Sequence, residues 1–321
     1  MVAPQVGEVD PEVVEPAADG NERTIYMRII AVIITLTLVL TGCGIERHSI
    51  GQQNEKPIIY ASSYPLYFLA HEIGKDNIDL RIVIPAGAEA HDYEPSMKQL
   101  KEIGDADLFI YNGAGFESWA DRLLETLLEN KRSMVASEGV ELIEFNGVAD
   151  PHIWLNPINM ITIGENIKEN LMELDEQNRE QYEQNYKELS DRLRGLDDEY
   201  SQALKDHRGK TILVSHAAFD YMAERYGFHQ IPVMGINPEQ EPSPKAIADI
   251  IEIAIEGDYG YIFMEPLISP KTVEVIAREA GLKILVLNPI GGLTKEEEAT
   301  GEDYISIMKE NLKNLEKALV N

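Results

Sequence analysis

Between about Asn159 and Lys205 the chain has no proline and no strand-like run. It carries dense Glu, Gln, Lys and Leu, as in LDEQNREQYEQNYKELSDRLRGLDDEYSQALK. Strong helix formers dominate and the charges alternate in sign, which favours long helices with solvated faces. A flexible linker would be written in Gly, Ser or Pro instead. On either side the pattern changes to short apolar runs, each followed by helical spacing or a turn. Before the segment these are IIYASSYPLYFLAHEIG, LRIVIP, DLFIYNG and SMVAS; after it come TILVSHAAFDYMAERYG, HQIPVMG, YGYIFMEP and KILVLNP. Apolar strands alternating with helices predict parallel sheets covered on both faces. Two such groups predict an α/β protein of two lobes, each a parallel sheet flanked by helices, joined by a long rigid helix. The boundaries read this way are 56–170 for the first lobe, 171–207 for the connecting helix and 208–321 for the second lobe.

The residues ahead of this region follow another logic. Met27-Arg28 leads into IIAVIITLTLVL, an uncharged stretch, and then Leu40-Thr41-Gly42-Cys43. A basic start, a short apolar core and small residues before a break describe a secretory signal peptide. The core is too short to span a membrane as a helix, which takes about 20 apolar residues. The LTGC ending resembles a bacterial or archaeal lipobox, in which the cysteine is lipidated and becomes the first mature residue. Residues 1–42 are therefore read as a leader and 43–55 as a tether from a lipid on Cys43, at the outer face of the cytoplasmic membrane. The acidic stretch from Met1 to Ile25 does not suit the front of a signal peptide, which points to Met27 as the true start. Cys43 is the single cysteine, so no intramolecular disulfide forms.

Charge narrows the partners. A net charge of −28 in 321 residues argues against nucleic acid, whose phosphates reward Lys and Arg. It favours cations near the surface, and it also suits solubility or a saline medium.

The seven histidines then divide. His48 sits in the tether, His71 mid-helix, His207 near a helix end and His229 just before a strand; each has an ordinary structural explanation. His91 follows LRIVIP in AGAEAHDYEP, and His216 follows TILVS directly. His152 lies in DPHIWLNP between Pro151 and Pro157. Ligands of open α/β sheets bind beyond strand ends, so these three side chains are candidates to converge in one cleft. Neutral imidazole is the commonest metal ligand, and three suit zinc. They are 61 and 64 residues apart, so no single helix or turn unites them and spacing alone does not decide the matter.

Five segments together resemble a known family: GAEAHDYEPS, DPHIWLNP, SHAAFDYMAERYG, NPEQEPSPKAIADI and LNPIGGLTKEEEATGEDYISIMKENLKNLEKAL. They are similar, in order, to the metal-binding solute-binding lipoproteins of ABC transporters for zinc and manganese, from about Lys56 to Asn321. The resemblance implies two α/β lobes with one metal in the cleft between them, held by His91, His152 and His216. It implies a monomer that hands its ion to a membrane permease and its ATPase. Manganese relatives usually have Glu where His216 stands, so the resemblance implies zinc, with manganese or an adhesin-type surface lipoprotein as alternatives.

Two features depart from that family. No long His-rich loop separates the first two ligand motifs. The carboxylate that relatives place after the last strand is also missing: Asn288 stands where many have Asp, and Gly291 where others have Glu. The fourth position is left to water, the Asn288 amide oxygen or Glu265. An Asp at 288 would be expected to restore the anion. Three histidines with an open position also resemble a catalytic zinc site, but neither an H-E-x-x-H helix nor a nucleophile elbow is present. The expectation is a binding protein rather than an enzyme.

Overall fold

The structure is a computed structural model, and it describes residues 56–320 apart from 121, 122, 125–130 and 239. The leader, Cys43 and the tether with His48 lie outside the described residues. Among the described residues no helix is long and apolar enough to cross a membrane.

The first sheet is parallel, in the order β2-β1-β3-β4. It comprises β1 (Ile58–Ala61), β2 (Asp79–Ile82), β3 (Leu108–Tyr111) and β4 (Ser133–Val135). Ile59 pairs with Leu80 on one side and Leu108 on the other, so the central strands are buried on both faces and consist of apolar runs. Helix α1 (Tyr64–Gly74) follows β1, with Pro65 in its first turn, where no backbone N–H is needed. Helix α2 (Met97–Gly104) is started by a capping box between Ser96 and Gln99. After β4 a two-residue hairpin joins β5 (Glu144–Phe145) to β6 (Val148–Ala149). Its turn residues Asn146 and Gly147 both have positive φ, 51° and 81°, as such a tight turn requires. Helix α3 (Pro157–Leu174) follows, capped by the Asn156 side chain on the Ile158 N–H.

The connecting helix differs from the sequence reading in where it starts. Residues 171–174 are the last turn of α3, and the long helix α4 runs Arg179–Leu204, with 3₁₀ turns at 176–178 and 205–207. Asp175 breaks the run with φ −137° and ψ 77°, and its carboxylate accepts from Asn178 Nδ2 and Tyr182 Oη at 2.6 and 2.7 Å. Asp is a poor helix former because it finds such local partners. Along α4 the buried positions Tyr182, Asn185, Leu189, Leu193, Leu196, Tyr200 and Leu204 recur every three or four residues, giving one apolar stripe. Near its start Asn185 bonds the Ile73 carbonyl of the first lobe. Near its end Tyr200 bonds the Met308 carbonyl, and Asp197 forms a two-pronged pair with Arg225 at 2.6 and 2.5 Å, both in the second lobe.

The second sheet repeats the first with the order β10-β9-β7-β8, all parallel. It comprises β7 (Thr211–His216), β8 (His229–Met234), β9 (Tyr261–Met264) and β10 (Lys283–Val286). Its helices are α5 (Asp220–Tyr226), α6 (Pro244–Glu256), α7 (Lys271–Ala280), α8 (Lys295–Thr300) and α9 (Tyr304–Leu319). One hydrophobic core runs through both lobes, from Ile59 and Leu69 through Trp154 and Leu193 to Val214, Ile290 and Tyr304.

Candidate metal centre

Each sheet has a point where strand order reverses, the usual mouth of an open α/β fold. In the first sheet it lies between β1 and β3, and the chain's own carboxylate fills it. Buried Glu117 accepts from Ser62 Oγ at 2.5 Å and from the N–H groups of Asn112 and Gly113 at 2.8 and 3.1 Å. In the second sheet it lies between β7 and β9, where His216 is the last residue of β7. The register Leu213↔Ile262 and Val214↔Phe263, continued two residues, sets His216 beside Glu265. Their side chains meet, with His216 Nδ1 at 2.6 Å from Glu265 Oε1, which also accepts from Ser215 Oγ.

His152 arrives by another route. The β5–β6 hairpin feeds Asp150-Pro151-His152, and Asp150 Oδ1 accepts from both the backbone N–H of His152 (2.9 Å) and its ring Nδ1 (2.7 Å). The second lobe holds this loop: Tyr221 Oη donates to the Asp150 carbonyl, Trp154 Nε1 to the Pro289 carbonyl and Tyr304 Oη to the Trp154 carbonyl. His91 comes from the irregular stretch after β2, nine residues beyond that strand's end. Its ring packs edge-on against Phe116, with centroids 4.9 Å apart.

The three predicted imidazoles are thus brought together. His152 Nε2 lies 3.1 Å from His91 Nε2 and 3.2 Å from His216 Nε2, and one ring nitrogen of each falls within 4.8 Å of the others. Donors roughly 3.3 Å apart are what a tetrahedral ion with bonds of about 2.0 Å spans. His152 and His216 are buried and His91 is half-buried. His71, His207 and His229 stand apart from this cluster. The imidazoles border a cavity of about 30 Å³, walled also by Glu89, Phe116, Trp154, Glu265, Asn288 and Gly291. That is room for an ion and little more.

Two candidates for the fourth ligand are engaged elsewhere. Glu265 serves His216 and Ser215, and Asn288 Oδ1 accepts from the Ile290 N–H at 2.8 Å. Asn288 Nδ2 donates to Glu297 Oε1 at 2.9 Å, the residue that also closes the capping box of α8. The expectation that Asp at 288 would strengthen the site therefore changes: Asn288→Asp sets one carboxylate against another and loses a part-buried hydrogen bond. It should cost roughly 1–3 kcal/mol in thermal unfolding, and Glu297→Gln should recover most of the loss. An undiminished melting temperature in Asn288→Asp would contradict this.

Asp150 was not singled out in the sequence, although the D-P-H spacing holds the signal: an Asp two residues ahead of a ligand-type histidine in a turn can reach its ring. Nor was Glu89, a half-buried carboxyl at the cavity wall that burial raises above the ordinary range.

Burial foremost, and then the other imidazoles, lowers the basicity of His91 and His152 well below the usual histidine value. Burial pushes the Asp150 carboxyl up to about 7. A proton competes for Nε2 only below the imidazole's own pKa. Between pH 7.5 and 6.5 three rings at the ordinary value near 6.5 would lose about sixfold in metal affinity, whereas holding His91 and His152 neutral makes the loss much smaller. Titrations at pH 7.5 and 6.5 that differ by about sixfold or more would contradict the burial of these rings.

Paired parallel sheets, a long connecting helix and an imidazole-walled cavity at a strand-order reversal define a bilobed α/β solute-binding protein with a metal-competent site. The family model for zinc-uptake complex component A, periplasmic, matches residues 59–318, and the chain belongs to that family. It is 34% identical over 307 residues to the high-affinity zinc uptake system protein ZnuA of Bacillus subtilis, covering 90% of this chain and 96% of that one. It is 32% identical over 296 residues to the zinc-binding lipoprotein AdcA of Streptococcus pneumoniae, covering 87% of this chain but only 58% of AdcA's length. Among solved structures, the Zn(II)-bound ZnuA-like domain of S. pneumoniae AdcA superposes with a TM-score of 0.75 at 34% identity, covering 83% of this chain and all of that domain. The laminin-binding protein of Streptococcus agalactiae, described as having adhesin and metal transporting activity, gives 0.75 at 31% identity, covering 82% of this chain and 99% of that one.

Proposed function

We propose that this chain captures a divalent ion, zinc in preference to manganese, outside the cytoplasm and delivers it to an ABC permease and its ATPase. The observation that carries the reading is the convergence of His91, His152 and His216 Nε2 atoms on one small cavity. The zinc named in the relatives above supports it. Three neutral nitrogen ligands suit zinc, while manganese is better served by carboxylate and carbonyl oxygen. With Glu265 and Asn288 engaged, water completes the coordination in this reading. The family is one of solute capture rather than of enzymes, and an exchangeable fourth ligand suits a protein that must give its cargo up. The lipobox at Cys43 would keep that cargo at the membrane surface, beside the permease.

Calorimetric titration of metal-free protein tests the assignment. One zinc per chain and much weaker manganese binding are expected; tight manganese with negligible zinc would overturn it.

A further inference from the structure

The two sheets end alike. Ala61 of β1 pairs with Ile110 of β3, and Val214 of β7 pairs with Phe263 of β9. The next residue is a buried serine in each, Ser62 and Ser215, and each hydroxyl donates to a buried carboxylate, Glu117 and Glu265. Glu265 faces the ligand His216. Glu117 holds backbone instead: its Oε1 accepts from the Asn112 N–H at 2.8 Å and its Oε2 from that of Gly113 at 3.1 Å.

The backbone held in this way is costly. Gly113, Ala114 and Gly115 take successive positive φ values of 74°, 52° and 79°. Ala114 carries its Cβ in that region, and a Cβ at Gly113 would come within 2.4 Å of Val135 Cγ2. Such a turn persists only where its surroundings over-determine it. Both ends of the turn reach the metal site. Phe116 closes it by donating its N–H to the Gly113 carbonyl at 3.1 Å, and its ring meets that of His91 edge-on, with centroids 4.9 Å apart. Asn112 Nδ2 donates at 2.9 Å to the carbonyl of Pro151, the residue before His152.

We propose that Glu117 is a positioning residue for two of the three ligands. By pinning the Asn112–Phe116 turn it sets His91 through Phe116, and His152 through Asn112 and Pro151. This rests on the metal-binding reading above and deepens it: the first lobe spends its own buried carboxylate on placing rings rather than on meeting the ion.

Titrations of Glu117→Gln with zinc and with cobalt(II), whose visible absorption reports the number and geometry of its ligands, test this. The amide keeps the size of the side chain but sets an N–H against a backbone N–H, so the turn loosens. Zinc affinity should fall about tenfold or more, and the cobalt spectrum should depart from that of the wild type. Tyr182→Phe, which removes a bond to Asp175 outside the turn, should keep both, so lost stability alone does not mimic the effect. Asn112→Ala should weaken zinc by a similar factor and the double variant little further, because both act along one path. In the metal-free protein at mildly alkaline pH, Glu117→Gln should move the His91 ring-proton shifts toward their values in Phe116→Leu. A folded Glu117→Gln with wild-type affinity and cobalt spectrum, or with unmoved His91 shifts, would overturn the proposal. If that variant does not fold, wild-type affinity in Asn112→Ala would do so. The metal-free shifts need no ion, so a wild type that binds neither metal would count against the function and leave this result standing.

Discussion

Zinc at a thousandfold excess over its dissociation constant should raise the melting temperature of the wild type by roughly 10 °C, and His152→Ala should abolish most of that rise. An ion that binds only the folded state adds RT ln(1 + [L]/Kd), about 4 kcal/mol at that excess. For a unit of this size each kcal/mol moves the transition by about 2–4 °C. His152 is the ring whose Nε2 touches both of the others, so its loss removes the centre of the ligand set. The metal-free variant will itself melt lower, because buried Asp150 loses its ring donor and keeps only the backbone N–H of residue 152. The quantity to compare is therefore the zinc-induced increment. An increment equal to the wild type's would take His152 out of the site.

Trp154→Ala should be the most damaging single change to the metal-free protein, at about 3–5 kcal/mol. Its indole is almost wholly buried, stacks edge-on with Phe116 and His152, and bonds Pro289 across the seam between the lobes. Removing it opens a void next to the imidazole cavity and frees one wall of it, so weaker zinc binding should accompany the lost stability. Trp154→Phe keeps most of the apolar contact and loses the Nε1–H bond, and should cost about 1–2 kcal/mol. Thermal or denaturant unfolding that places Trp154→Ala within about 1 kcal/mol of the wild type would show that the seam repacks freely.

The two α/β lobes and the three histidines were legible in the sequence because each rests on a local pattern. Apolar runs such as TILVS reveal strands without reference to neighbours, and a histidine just beyond such a run announces a strand end. The five ordered motifs supplied what spacing could not, namely that residues 61 and 64 positions apart meet. What was not legible depends on register and side-chain direction. Glu265 was weighed as a ligand because it sits at a strand end; only the pairing of β7 with β9 shows it beside His216 Nδ1. Asn288 reads as a donor of oxygen to an ion until its amide is seen bonded to Ile290 and Glu297. The start of the long helix was misplaced because residues 171–174 and 179–182 have the same helical composition. The break falls at Asp175, whose effect depends on Tyr182 and Asn178 lying within reach.

The single core that passes through both lobes carries a consequence for inheritance. Packing of this density leaves little slack, so the span between His91, His152 and His216 is gauged by side chains outside the cavity lining, such as Leu193, Ile290 and Tyr304. A lineage could retune which ion fits by exchanging methyl groups along the seam while every ligand stayed the same. Relatives with identical histidines would then differ in metal preference, and the cause would be written in their aliphatic residues.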